Sequence, residues 1–238
     1  MTPPSLSRHF QKLTVQQEVR YTEETSHILH ASDLFKACMR EIYLLWESGE
    51  KKVDTIPFDT WMTWQAGKYL ETVIKERYTQ EGMLAESDVH LFDEEYQISF
   101  HPDGRFGNGE LLEIKCKSPE TFKLGKNFPL RKDQYQVELY LWADKAQTGN
   151  LFTFLAWKGK EKIFSRDNII RYNMRSVEIT KRTVATLREA EHGGKIPLRI
   201  CQSKDERRAI FCPMRDKCFQ LESNGITKTI EEQLKGER

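Results

Sequence analysis

Residues 101–117, HPDGRFGNGELLEIKCK, constrain this chain more than any other stretch. Gly107-Asn108-Gly109 is a turn signal between two strand-like runs, because glycine and asparagine take positive φ at little cost. Along an extended strand successive side chains point to opposite faces. In ELLEIKCK, Leu112, Ile114 and Cys116 therefore share one face, and Leu111, Glu113, Lys115 and Lys117 the other. Glu113 and Lys115 emerge together, roughly 7 Å apart along the strand. The turn brings Asp103 across from Glu113. Two carboxylates so close repel each other unless something cationic lies between them. Mg²⁺ or Mn²⁺ suits that place, being a hard cation that takes oxygen ligands from carboxylates, water and phosphate. The lysine can then position a metal-bound water or offset charge developing on a phosphate. The same pattern also fits an ordinary hairpin with a polar outer face, and Asp-x9-Glu-x-Lys alone does not decide between them.

The rest of the chain sets the context. At 238 residues it is one sizeable domain or a domain with an appendage. With 38% hydrophobic and 31% charged residues, it has the balance of a soluble globular protein and not of a disordered or membrane chain. The N-terminal MTPPSLSRHFQKLTVQQEVR lacks the apolar run of a secretory signal, and the five cysteines then suggest reduced thiols or metal ligands in a cytoplasmic protein. A net charge of +1 says little about partners. Its distribution says more: residues 114–132 hold Lys115, Lys117, Lys123, Lys126, Arg131 and Lys132 against the single acid Glu120. Interleaved with Phe122 and Phe128, this stretch suits a nucleic-acid backbone and a stacked base, and equally a solvated loop.

Residues 1–30 read as an arm or an early strand. Helical spacing predicts one helix in SDLFKACMREIYLLW, with Ser32 as N-cap and Leu34, Phe35, Cys38, Ile42, Leu45 and Trp46 on its apolar stripe. It predicts a second in FDTWMTWQAGKYLETVIKERYTQEG, burying Phe58, Met62, Ala66, Tyr69, Leu70 and Val73. Strands follow at SDVHLF, YQISFHPDGRF and ELLEIKC, then a helix at RKDQYQVELYLWADKA, strands at NLFTFLAW, EKIFSR and IIRYNM, and a helix over 177–192. This order predicts an α/β core with a central mixed β-sheet flanked by helices over 31–192, and a Cys-bearing segment over 193–238 clamped to it.

Four elements in order over residues 67–140 resemble the PD-(D/E)XK nuclease superfamily, in its RecB-type and phage exonuclease branch. They are Gly67 to Glu71 in GKYLE, Pro102-Asp103, Glu113-Ile114-Lys115, and Gln136 with Tyr140 in QYQVELYLW. Taken singly, Gly67 also suits close packing, Glu71 a solvated face and Tyr140 a core. Together they imply a restriction-endonuclease-like core and a divalent-metal-dependent DNA exonuclease. In that family pattern Glu71, Asp103, Glu113 and the carbonyl of Ile114 hold the metal and Lys115 is the catalytic lysine. Gln136, Tyr140 and Lys117 shape the site or contact DNA. His101 points to the same face, as a surface histidine or as a functional one. A non-catalytic DNA-binding subunit and a restriction-type endonuclease share the same elements.

Cys116 goes to the apolar face of its strand, leaving Cys38, Cys201, Cys212 and Cys218. Scattered cysteines are often core residues, yet PLRICQSKDERRAIFCPMRDKCF is charged and loop-like, a better setting for thiolate ligands of zinc or an iron-sulfur cluster. One cysteine before the nuclease core and three after it resembles CRISPR-associated adaptation nucleases and related helicase-nuclease subunits, in which four cysteines hold a 4Fe-4S cluster. Cys38, Arg40 and Tyr43 resemble their C-x-R-x-x-Y opening. The resemblance implies DNA with free ends or single strands as substrate, and recombination or CRISPR-adaptation proteins as partners. Cys201 departs from the pattern, standing further from Cys212 than those families place it, which leaves zinc as the alternative.

Overall fold

The computed structural model describes residues 14–18, 27–49, 53–117, 129–155, 165–223 and 225–236. Its frame is a five-stranded sheet in the order β10-β9-β8-β7-β4, built from β4 (Leu84–Ser87), β7 (Gly104–Phe106), β8 (Leu111–Lys117), β9 (Thr148–Leu155) and β10 (Ser165–Arg171). Only β8 and β9 run parallel; the other neighbours are antiparallel, so the sheet is mixed. A three-stranded sheet, β2-β6-β5, carries β2 (Leu29–His30), β5 (Leu91–Asp93) and β6 (Ile98–Phe100), and β1 (Thr14–Glu18) pairs with β3 (Val53–Pro57).

A parallel pair is normally covered on both faces, and β8 obeys. Leu112 and Ile114 pack beneath α3 (Phe58–Gln80), through Leu70, Ile74 and Tyr78. On the opposite face Leu111 joins the main core with Tyr135, Val137, Leu139, Tyr140 and Leu141 of α4 (Arg131–Asp144), the helix that carries the chain from β8 over to β9. Around these lie α1 (Ala31–Leu34), α2 (Met39–Ser48) and α5 (Met174–Glu191), the last capped by Asn173, whose side chain accepts from the Ser176 amide. Three short helices close the chain: α6 (Arg207–Ile210), α7 (Arg215–Gln220) and α8 (Ile230–Lys235).

Five sequence expectations change, one of them being that the single strand expected at SDVHLF is divided between β4 and β5, which lie in different sheets. The helix expected to start from Ser32 begins at Ala31, with His30 in place of Ser32 as N-cap, and is two pieces, because Cys38 is extended at φ −103°, ψ 110° and becomes the N-cap of α2. Of the stripe expected to be buried on α3, Leu70 meets the sheet, but Met62, Tyr69 and Val73 are exposed large hydrophobics and Ala66 is exposed as well. The sheet takes the other face, with Gly67, Leu70, Ile74 and Tyr78. The run from Tyr96 to Phe106 splits at His101-Pro102-Asp103, passing from one sheet to the other. The residues of EKIFSR and IIRYNM contribute to one strand, β10, with 161–164 outside the described residues. The aromatic and basic stretch of 118–128 also lies outside them. No helix of the described residues is long and apolar enough to cross a membrane.

The C-terminal segment is joined to α2 by Arg40, which is fully buried. Its Nη1 donates to the Pro197 carbonyl at 3.1 Å, and its Nη2 to those of Cys218, Leu221 and Glu222 at 3.1–3.3 Å. A buried guanidinium is tolerable only when oxygens surround it in this way.

Candidate active site

The hairpin forms with the register its turn predicts. Gly109 takes φ +88°, its amide donates to the Phe106 carbonyl, and the Phe106 amide donates to Glu110. Gly104 then pairs with Leu112 and Arg105 with Leu111. One step further along that register, Asp103 stands opposite Glu113. Gly104 also lets β4 approach, since a Cβ there would stand 3.1 Å from the Glu86 carbonyl oxygen. Arg105 fastens the hairpin to the end of α4 through two parallel hydrogen bonds to Asp144, at 2.7 and 2.8 Å.

Around this hairpin the polar groups converge. Asp103 Oδ2 accepts from the Ile114 amide at 2.6 Å. Glu113 is 2% exposed, and its Oε1 meets Lys115 Nζ and accepts from Gln136 Nε2 at 2.9 Å. Its Oε2 is buried and has no hydrogen-bond partner among the described residues. Gln136 also donates to the Tyr140 hydroxyl, which donates to the His101 carbonyl at 3.2 Å. Four residues separate Gln136 from Tyr140, so α4 stacks them on one face. From α3, Glu71 comes close enough for its charge to act on both Asp103 and Glu113.

The electrostatics are those of crowded carboxylates in a dry place. Burial first, then the charges of Glu113 and Glu71, push the Asp103 carboxyl well above its usual range. Burial also raises Glu113, with Glu71 and Asp133 adding to the shift and Lys115 opposing it. Burial works against the Lys115 ammonium, but the carboxylates of Glu113, Asp103 and Asp133 outweigh it and hold the proton more firmly than in water.

Other side chains do not stand where the family pattern suggests a role. Lys117 turns to Asp133 at 2.7 Å, and both are largely buried. His101 joins His90, with Nδ1 to Nδ1 at 2.8 Å, and Ser99 on an exposed face of the small sheet. Sequence reasoning passed over Lys75, which bridges Glu71 at 3.1 Å and Asp88 at 2.6 Å. Its i, i+4 spacing from Glu71 was the available signal. It also passed over Asp133, whose partner Lys117 is distant in sequence. Among the described residues no group of three or more His, Cys, Asp or Glu is arranged to hold a metal ion; the carboxylates meet lysine ammoniums instead.

Cys38, Cys201, Cys212 and Cys218 line one cavity of about 40 Å³, together with Glu41, Arg199, Arg208 and Arg215. Burial raises the Cys38 thiol to about 11 and that of Cys212 to about 12. Cys116 stands apart, on the face of β8 turned to α3 beside Gly67.

No family model and no curated protein matches the sequence. Solved structures do match. An alkaline exonuclease from Laribacter hongkongensis, LHK-Exo, superimposes with a TM-score of 0.52 at 20% identity, over 70% of this chain and 89% of that one. The same enzyme in complex with dAMP gives 0.52 and 20%, over 72% and 93%. The structure of SSO0001 gives 0.52 and 18%, over 83% and 90%. These are likenesses of fold: the chain has the helix-flanked mixed sheet of a restriction-endonuclease-like core.

Proposed function

We propose that this chain is a divalent-metal-dependent DNA exonuclease that hydrolyses phosphodiester bonds. The observation that carries the proposal is the state of Glu113. It is a buried carboxylate opposite Asp103, held through one oxygen by Gln136 and Lys115, with the other oxygen unpartnered among the described residues. Leaving a buried carboxylate oxygen unpaired is costly, and a fold retains such an oxygen where something cationic is to meet it. The donor set of Glu71, Asp103, Glu113 and the Ile114 carbonyl is all oxygen, which fits Mg²⁺ or Mn²⁺. When bound, such an ion lowers the pKa of water and stabilises charge on the attacking and leaving oxygens.

The remaining roles belong to the chain itself. The Ile114 amide fixes the Asp103 carboxylate, and the Tyr140 to Gln136 relay fixes Glu113. Lys115 keeps its proton, so it acts as a positive charge beside the scissile phosphate and donates a hydrogen bond there, which is worth most in a buried site. Gln136 would border the DNA strand, while the buried Tyr140 shapes the site behind it and Lys117, paired with Asp133, stays turned away. The shared fold with an exonuclease captured with dAMP, a nucleoside monophosphate, supports an end-directed nuclease. DNA recombination, repair or end processing, including CRISPR adaptation, are settings in which a cytoplasmic enzyme of this kind would act.

The four cysteines supply the thiol chemistry for a second group, although among the described residues no three of them are arranged to hold an ion. Four thiols from two distant parts of the chain share one cavity next to the Arg40 clasp. A 4Fe-4S cluster there would be structural, clamping the C-terminal segment to α2. Zinc is the alternative.

The test is digestion of end-labelled linear and closed circular DNA with Mn²⁺. Linear DNA should be degraded and circular DNA spared, with the activity lost in Lys115→Ala. Protein that cuts neither, or that cuts both alike, overturns the exonuclease assignment. For the cysteines, brown anaerobically purified protein whose visible absorbance vanishes in Cys212→Ala supports the cluster, and colourless protein with one zinc removes it.

A further inference from the structure

Among the described residues helix α3 is the longest, and none of its residues is fully buried. One side faces the sheet, through Leu70, Ile74 and Tyr78. About a third of a turn around the helix, Met62, Tyr69 and Val73 are 47%, 70% and 41% exposed, and Ala66 lies exposed between them. These four residues recur at spacings of four, three and four, the rhythm that brings side chains onto a single seam for packing against another helix. An amphipathic helix with an apolar stripe on each side has a second partner to find, since a row of large exposed hydrophobics on one face marks an interaction surface.

We propose that this stripe is a self-association surface and that its occupant is the same stripe of a second copy of the chain, lying antiparallel. Two features favour that occupant. The first is size. In an antiparallel pair centred near Gly67, Ala66 falls opposite Tyr69 of the copy and Met62 opposite its Val73, so large meets small along the seam. A parallel pair would set Tyr69 against Tyr69 and Ala66 against Ala66, crowding one level and leaving a gap at the other. The second is charge. Asp59 in the first turn and Arg77 near the last, where its Nε also meets Glu81 at 2.7 Å, lie on the same flank of the stripe, five helical turns apart. Antiparallel pairing brings Asp59 of each copy beside Arg77 of the other, twice about the two-fold axis. The opposite flank carries uncharged Gln65 and Thr72 at matching levels, and its one acid, Glu76, falls at the level of Phe58 of the copy. Helix dipoles also favour the antiparallel arrangement.

Glu71 projects from the far side of the same helix. The two acidic sites of the pair would therefore face away from one another, each open to its own DNA, and the contact would brace the helix that carries Glu71. The inference does not depend on the nuclease assignment.

The test is sedimentation of the full-length protein over a wide range of concentrations. A dimer is expected, turning monomeric in the double variant Met62→Glu/Tyr69→Glu with an unchanged far-ultraviolet circular dichroism spectrum. Asp59→Arg should weaken the dimer by about tenfold or more, and adding Arg77→Asp should restore it. A monomer at every concentration overturns the proposal, as does a dimer indifferent to the Met62 and Tyr69 changes. Failure of the charge exchange to restore affinity overturns the antiparallel register.

Discussion

The main-chain amide of Ile114 donates to the Asp103 carboxylate at 2.6 Å, across the hairpin that joins their strands. Asparagine keeps an acceptor for that bond while removing a charge that Glu113 and Glu71 repel. Asp103→Asn should therefore fold at least as well as the parent, gaining about 1 kcal/mol in chelator-treated protein. DNA hydrolysis should fall by about a hundredfold or more. Thermal melting and an end-labelled digestion on the same preparation check both halves.

Tyr140→Phe removes one hydroxyl and leaves both Gln136 and the His101 carbonyl short of a partner. A loss of stability of about 1–2 kcal/mol is expected. Turnover should drop about tenfold, because Glu113 loses the group that orients Gln136. Urea unfolding and steady-state kinetics would show it. A wild-type rate in Tyr140→Phe would mean that Gln136 holds Glu113 without help.

Arg40→Met fills the same space but leaves four carbonyls without their donor. About 3 kcal/mol of stability should go. The 193–238 segment should become protease-sensitive before the sheet does. Limited proteolysis followed by mass spectrometry locates the first cuts.

Helix α8 supplies a pH dependence. Burial works against the Glu232 carboxylate, but the amide and hydroxyl of Thr229 and the guanidinium of Arg208 outweigh it and hold the carboxyl below its ordinary value of 4.5. A carboxyl lowered on folding stabilises above its unfolded pKa and loses that contribution as pH falls through the folded one. Glu232→Gln should therefore destabilise the protein near neutrality and flatten the acid limb of its stability curve. Because the group is largely solvated, the effect should be under about 1 kcal/mol. Urea midpoints measured across the acid range test the sign.

How far the sequence revealed all this depended on the range of each interaction. The hairpin register was legible because Gly107-Asn108-Gly109 and strand alternation are local. The pairing of Gln136 with Tyr140 was legible because a helix repeats every three to four residues. The buried face of α3 was not, since Met62, Tyr69 and Val73 form as good a stripe as Leu70, Ile74 and Tyr78, and periodicity does not say which stripe meets the sheet. The break at Cys38 was hidden because apolar spacing runs on through Phe35 and Cys38 with no glycine or proline to mark it. Arg40 stands out in a C-x-R-x-x-Y opening, but its role as a buried clasp was hidden, because the carbonyls of Pro197 and Leu221 arrive from far along the chain.

The crossover from β8 through α4 to β9 also bears on how the protein assembles. Asp103, Glu113, Lys115, Gln136 and Tyr140 all fall within one continuous span of strand, turn, strand and helix. Contacts at such short separations close small loops and form early in folding. The acidic pocket should thus take shape at an early stage of refolding, ahead of the docking of α3 that adds Glu71. Hydrogen-exchange pulse labelling during refolding would then find the β8 amides protected before those of α3.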